Sequence, residues 1–254
     1  MNQPNNAIQI HMLSISSVVM GRTDTIHPTW IHDGQHAVLI DTGYPGQVLR
    51  FAEVLETFGC TLNDLTHVIL THQDIDHIGS LPAMLEQAEK PIEVLASDKE
   101  KPYIEGERML LKITPEALAA AESMLPRDVP EAWKQAFLST LKNPPKSPVN
   151  RVIQDGEILP LCGGIEVIAT PGHTPGHMSL YHIPSKTLIA ADALRVVDGR
   201  LCGPDPEQSL DMIQAAESIK KLAAYDARTV ICYHGGIYPD HAGQALRELA
   251  QSLD

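Results

Sequence analysis

The chain has 254 residues, of which 43% are hydrophobic and 20% charged, values that are typical of a globular enzyme with a large core. Its formal net charge of −13 argues against a nucleic-acid-binding surface, and no apolar run reaches the ~18 residues of a membrane span. The four cysteines form no C-x-x-C pair and are expected to be reduced thiols, so the simplest expectation is a cytoplasmic enzyme.

The chain up to residue 96 alternates strand patterns with helix patterns. Strands are predicted, from β-type composition and short apolar runs between turn residues, at 7–20, 26–32, 37–40, 67–70 and 92–96. Helices are predicted, from apolar positions at helical spacing, at 47–58 and 81–88. This alternation indicates a sheet whose faces are covered by helices.

Residues 98–150 have a different pattern. Helical segments at 104–112, 115–124 and 131–142 are separated by prolines, and we interpret this region as a helical cap within a single domain that spans 1–254. Large apolar side chains of the cap could line a substrate pocket, or they could simply pack its helices together: Tyr103, Met109, Leu110, Trp133, Phe137 and Leu138. The cap could also serve as the interface of a homodimer.

Strand patterns resume after the cap. They are predicted at 151–170, 178–182, 186–191 and 229–232, with helices at 207–224 and 241–252. Each half of the chain is thus β-rich and then helical. This organisation is consistent with two sheets that pack face to face inside outer helices.

The densest group of polar residues is T-H-Q-D-I-D-H at 71–77, directly after a predicted strand. It offers four potential metal ligands, His72, Asp74, Asp76 and His77. Imidazoles and carboxylates suit Zn, Mn or Fe. An extended segment would point the first three side chains one way, whereas a loop could divide the ligands between two ions. A polar turn would explain one such residue, but four between apolar runs indicate a metal site.

Further candidate ligands follow other predicted strands. T-P-G-H-T-P-G-H at 170–177 supplies His173 as a ligand and His177 as a histidine packed behind the ligands. Asp192 follows the strand at 187–191, and its two oxygens suit a bridge between two cations. His234 ends the strand at 229–232 and its short extension, before two glycines. Each residue alone could be a turn or core residue, and the combination favours a metal site.

This ordered series resembles the metallo-β-lactamase-fold superfamily, from Asp41 to His234, and is most similar to the branch of lactonases and hydroxyacylglutathione hydrolases. The resemblance implies an α/β fold, a four-layer αβ/βα sandwich, with two divalent metal ions at the edge where the sheets meet. The implied ligands are His72, Asp74 and His173 for the first ion, Asp76, His77 and His234 for the second, and Asp192 as the bridge. Asp41 matches a position that helps to organise the metal loop.

Two residues depart from the family pattern. Most members have histidine where this chain has Asp74. An aspartate oxygen is as many bonds from the backbone as Nδ1 of that histidine, so Asp74 can bind, but the less positive site should favour Mn or Fe over Zn, the family default. Arg195 stands where acyl-homoserine lactonases have tyrosine, and it could bind an anionic substrate group or be a solvated charge.

The resemblance implies hydrolysis of an ester, lactone or thioester by a hydroxide that bridges the two ions, with Asp76 as the catalytic proton shuttle. An iron-dependent oxidoreductase, flavodiiron-like or persulfide dioxygenase-like, is the alternative, because flavodiiron proteins also carry a carboxylate at the position of Asp74. A binding module without catalysis would require an incomplete ligand set, and all seven positions carry competent side chains.

Overall fold

The computed structural model describes residues 7–19, 22–125 and 129–253. Met20, the last residue of the strand predicted at 7–20, lies outside these residues. Within them, no helix has the length and apolar character needed to cross a bilayer.

The strands and helices follow one another in an order close to the one predicted. The described strands are β1 (Gln9–Met12), β2 (Ile15–Val19), β3 (Arg22–Ile26), β4 (Thr29–His32), β5 (Ala37–Ile40), β6 (His67–Ile69), β7 (Glu93–Ala96), β8 (Arg151–Val152), β9 (Ile158–Leu159), β10 (Ile165–Ala169), β11 (Met178–His182), β12 (Thr187–Ala191), β13 (Arg195–Val197), β14 (Arg200–Cys202), β15 (Thr229–Cys232) and β16 (Gly236–Tyr238). The described α-helices are α1 (Val48–Glu56), α2 (Ile75–Ile78), α3 (Leu81–Gln87), α4 (Lys101–Ile104), α5 (Pro115–Met124), α6 (Glu131–Lys142), α7 (Met212–Leu222) and α8 (Ala242–Gln251).

Two six-stranded sheets form the centre of the molecule. The first has the order β1-β4-β5-β6-β7-β8, and the second has the order β16-β15-β12-β11-β10-β9. Strands β5 to β8 are parallel, as are β12 and β15, so their carboxyl ends meet at one edge of each sheet. The hairpins β2–β3 and β13–β14 lie outside the two sheets.

Alternating side chains of β5 show how the layers form. Val38 and Ile40 pack into the core between the two sheets, whereas Ala37 and Leu39 face the core under helices α1 and α3. In the second sheet, Leu188 of β12 likewise faces the core under α7 and α8. The layers are therefore helix, sheet, sheet and helix, which confirms the predicted αβ/βα sandwich.

The helix predicted at 104–112 is wrong. The structure has the short helix α4, which ends at Ile104, and turns follow it. Gly106 has a φ of +74°, and the backbone N–H of Leu111 donates to Gln73 Oε1 at 2.7 Å instead of to a carbonyl one turn earlier. The strand predicted at 151–170 is also wrong as a continuous element, because turns divide it into β8, β9 and β10.

Candidate metal centre

The metal loop leaves β6 and turns at once into α2. Asp74 occupies the N-terminal cap position of this one-turn helix, with extended backbone angles, while Asp76 and His77 lie within it. The turn sends His72 and Asp74 to one side and Asp76 and His77 to the other. Of the two arrangements considered for this motif, the structure has the loop that divides the ligands.

Asp41 holds the metal loop in place. Its carboxylate accepts hydrogen bonds from the backbone N–H and the hydroxyl of Thr71, both at 2.8 Å, and from Nδ1 of His77, also at 2.8 Å. Asp41 is fully buried and has a φ of 63°. Because Nδ1 of His77 donates to Asp41, its Nε2 carries the lone pair toward the site.

The remaining candidate ligands follow strands of the second sheet. His173 lies in the loop after β10, Asp192 directly follows β12, and His234 follows β15 by two residues. The backbone N–H of Met178 donates to the carbonyl of Thr71 at 3.1 Å, which joins this sheet to the metal loop of the first. The site therefore lies where edges of the two sheets meet.

The structure brings all seven predicted ligands together in two adjacent clusters. The first consists of His72, Asp74, His173 and Asp192, and the second consists of Asp76, His77 and His234, with the ligand atoms of each cluster within 4.8 Å of one another.

Asp192 lies against both clusters. Its Oδ2 is 3.8 Å from Nε2 of His72 and 3.2 Å from Nε2 of His173, which belong to the first cluster. The same oxygen is 3.4 Å from Nε2 of His77 and 3.6 Å from Nε2 of His234, which belong to the second. Asp192 thus lies where a carboxylate shared by two ions would have to lie.

Three buried atoms of the clusters have no hydrogen-bond partner within the described part of the chain: Nε2 of His72, Nε2 of His77 and Oδ1 of Asp192. Buried polar atoms are normally satisfied, because an unmade hydrogen bond costs about 1–3 kcal/mol. A cation that accepts these lone pairs would satisfy them. The residues present thus fit a pair of divalent ions.

The electrostatics of the clusters also favour cations. Burial lowers the pKa of His77, but the carboxylates of Asp192, Asp41 and Asp76 outweigh burial and hold that pKa well above its usual value. Burial likewise opposes the carboxylates at His234, whose pKa they raise to about 9. The carboxylates that raise these pKa values surround the imidazoles with negative charge, which also favours a metal cation.

His177 supports a ligand and belongs to neither cluster. Its Nε2 accepts a hydrogen bond from the backbone N–H of Asp192 at 3.2 Å, and its Nδ1 lies 2.8 Å from the hydroxyl of Thr170. The side chain is fully buried. His177 therefore fixes the backbone at Asp192, which lies against both clusters.

Lys112 is a component that the sequence analysis missed. Its ammonium donates to Oδ2 of Asp74 and lies 2.7 Å from Nε2 of His173. A lysine in the cap, 38 residues beyond Asp74, carries no sequence pattern that would place it here. Its charge offsets the carboxylate of Asp74, which weakens the argument from charge for Mn or Fe over Zn.

A cavity of about 510 Å³ opens over the clusters. Its lining includes ligands from both clusters, Tyr44 and Arg195. Arg195 thus lines this cavity, but its guanidinium donates to Asp205 at 2.8 Å and so already has an acidic partner.

The other three predicted substrate contacts lie elsewhere. Trp133 and Phe137 line a neighbouring, mainly apolar cavity of about 280 Å³, and Tyr44 borders both cavities. The structure brings Tyr103 to neither cavity. It packs instead against the core of the first sheet, with Arg108 5.9 Å from the centre of its ring.

Comparison with known proteins agrees with this geometry. The chain is 31% identical over 216 residues to the probable metallo-hydrolase YflN of Bacillus subtilis, covering 78% of this chain and 75% of that protein. It is 43% identical over 118 residues to a hydroxyacylglutathione hydrolase of Mesorhizobium japonicum, covering 42% of this chain and 44% of that protein.

Solved structures show the same fold. A metallo-beta-lactamase family protein from Thermus thermophilus superposes with a TM-score of 0.67 at 23% identity, covering 96% of this chain and 77% of the other. Residues 22–234 match the metallo-beta-lactamase superfamily, a range that contains both clusters. The chain therefore belongs to the metallo-beta-lactamase superfamily.

Proposed function

We propose that this metal-dependent hydrolase holds two divalent ions and hydrolyses an ester, lactone or thioester bond of a small molecule. The observation that carries the proposal is the position of Asp192, whose Oδ2 lies 3.2–3.8 Å from imidazoles of both clusters. A carboxylate shared in this way is what a bridged metal pair requires, and separate sites would not need it.

The proposed ligand roles follow the two clusters. His72, Asp74 and His173 would hold the first ion, Asp76, His77 and His234 the second, and Asp192 would bridge them. When bound, such a pair supplies an activated water as the nucleophile and polarises the carbonyl of the substrate.

Asp76 is the proposed proton shuttle. Its side chain lines the cavity, 15% exposed, so it can reach both the nucleophile and a leaving group. Burial raises its pKa, but His77 and His234 outweigh burial and lower it, so the carboxylate is ionised at neutral pH. The hydroxyl of Tyr233 donates to the backbone carbonyl of Asp76 and fixes that turn.

The cap at 98–150 is the proposed determinant of substrate choice. Its helix α6 contributes Trp133 and Phe137 to the apolar cavity, which meets the metal cavity at Tyr44. An uncharged acyl or aromatic part of a substrate fits this arrangement, because Asp205 already neutralises Arg195. Dimerisation through the cap stays a prediction, which light scattering of the purified protein would test.

Thioesters stand beside esters and lactones in the proposal for two reasons. The relative from Mesorhizobium japonicum is named a hydroxyacylglutathione hydrolase. Arg195 replaces the tyrosine of the resembling lactonases, so the sequence does not favour a lactone over the other two. For the metal, Zn is the family default, and Asp74 keeps Mn and Fe as candidates.

The test is a panel of lactones, thioesters, p-nitrophenyl esters and phosphoesters, assayed with Zn-, Mn- and Fe-loaded protein. We expect the protein to hydrolyse at least one of the carbonyl substrates. This hydrolysis should require the bound metal and should be lost in the Asp192→Asn variant. If the protein hydrolyses no substrate with any of the three metals, and the Fe-loaded protein consumes oxygen, the oxidoreductase alternative is favoured.

A further inference from the structure

Lys112 places a positive charge inside the first cluster. Its ammonium contacts Asp74 and His173, two of the four residues of that cluster. The side chain is 21% exposed, so most of its length is buried beside the ligands. It comes from the cap and not from the strand ends that carry the ligands.

The backbone just before Lys112 is anchored, so the contact does not depend on a freely moving loop. Leu110 is buried, and the N–H of Leu111 donates to Oε1 of Gln73 within the metal loop at 2.7 Å. Nε2 of Gln73 in turn donates to Glu100 at 2.7 Å. Glu100 also accepts from the backbone N–H of Gly176, in the loop that carries His173, at 2.7 Å.

The contact with His173 uses the electron pair that a metal ion needs. Nε2 of His173 lies 2.7 Å from the ammonium of Lys112 and 3.0 Å from Oδ2 of Asp74, so both groups crowd the atom through which this imidazole would bind an ion. Because an ammonium group can only donate, a hydrogen bond from Lys112 requires the tautomer with its proton on Nδ1. Nδ1 lies 3.4 Å from the hydroxyl of Ser209, which is compatible with this tautomer. An ion bound by Nε2 of His173 must displace the ammonium from it.

Asp74 can keep its contact with Lys112 when it binds an ion, whereas His173 cannot. A carboxylate has two oxygens, so Asp74 can bind an ion through one and keep Lys112 on the other. The second cluster has no such competitor, since no described lysine contacts Asp76, His77 or His234.

We propose that Lys112 competes with the first metal ion for Nε2 of His173, so that the first site fills at a higher metal concentration than the second. This inference rests on the two-ion site of the proposed function. The protein would then carry one ion at low metal concentration and two at high concentration, with Lys112 as the residue that separates the two steps.

The experiment is calorimetric titration of the metal-stripped protein with Zn²⁺ alone. Wild type is compared with Lys112→Met, which keeps the apolar stem and removes the ammonium. The step that His173→Ala removes is assigned to the first site. Lys142→Met is the matched control, because it removes the same charge from an exposed position of the cap helix α6.

Wild type should show two steps, and Lys112→Met should strengthen the first-site step by about tenfold or more, as expected for a lost charge-assisted hydrogen bond. The second-site step, and both steps in Lys142→Met, should change less than about twofold. One ion in wild type and two in Lys112→Met at the same metal concentration would support the same conclusion.

Two results overturn the inference, and they are distinguishable. Two steps of unchanged or weaker affinity in Lys112→Met mean that Lys112 does not compete, and the two-ion site stands. A single step in wild type and in Lys112→Met, up to millimolar Zn²⁺, contradicts the two-ion site itself. Circular-dichroism melting curves check that the variants fold. Lys112→Gln is a second test, because the affinity of the first site must change in the same direction in Lys112→Gln as in Lys112→Met.

Discussion

Asp192→Asn removes one negative charge from the position shared by the two clusters and preserves the size of the side chain. The side chain is 8% exposed, so water replaces little of the lost interaction. An ion bound by this carboxylate lies within about 4 Å of its charge, where each unit charge contributes ~4 kcal/mol at an effective dielectric constant of about 20. Loss of the interaction with even one of the ion's two charges lowers metal affinity by about a thousandfold.

Thermal stability reports the same loss. Metal at a thousand times its dissociation constant raises the free energy of unfolding by ~4.1 kcal/mol, whereas metal at its dissociation constant raises it by only ~0.4 kcal/mol. The difference in melting temperature between metal-loaded and chelator-treated protein should therefore be large in wild type and nearly absent in Asp192→Asn. The metal content of dialysed Asp192→Asn, measured by emission spectroscopy, should be no more than one ion per chain.

Asp205→Asn is the control for metal content. Asp205 lines the same cavity, and its side chain is 41% exposed and bonded to Arg195, outside both clusters. It should retain both ions. Two ions bound to Asp192→Asn with wild-type affinity would refute the shared-ligand reasoning.

Further predictions follow from individual contacts. Asp41→Asn leaves one acceptor oxygen for three donors, and we expect a loss of about 2–3 kcal/mol in unfolding free energy, measured by denaturation of metal-stripped protein; an unchanged midpoint would contradict the anchoring role of Asp41. Gly172 has a φ of +137°, and a Cβ there would lie 2.4 Å from the backbone nitrogen of Ala215, so Gly172→Ala should cost about 1–3 kcal/mol, and an unshifted melting temperature would show that the contact relaxes freely. His173→Ala should lose the first ion whereas His177→Ala should keep most of its metal, and equal metal content in the two variants would show that the assignment of ligand and support is wrong.

The fold and the clustering of the ligands were predictable from sequence for one reason. Each candidate ligand follows an apolar run that forms a buried strand, and strand ends in adjacent parallel strands converge. Asp192 and His234 follow β12 and β15, which are paired in parallel register. Nearly continuous burial along these strands indicates the layers, because a strand between helices and a second sheet is apolar on both faces.

The structure of the cap could not be predicted from sequence as well as that of the two sheets. Helical spacing at 104–112 was misleading because the backbone of Leu111 bonds to Gln73, a contact between segments far apart in sequence. Lys112, the next residue along the chain, contacts Asp74. Tyr103 is an aromatic residue of the cap that was predicted to contact substrate, but it packs against the core and away from the cavity. Contacts between segments that are distant in sequence determine the conformation of 104–112 and the positions of Lys112 and Tyr103. Local sequence patterns do not reveal such contacts.

The most direct test of two ions held by one shared carboxylate is anomalous diffraction from crystals of Mn- or Zn-loaded protein. The account predicts two anomalous peaks about 3.5–4 Å apart, one at each cluster, with Asp192 between them. A single peak, or two peaks that do not share Asp192, would contradict it.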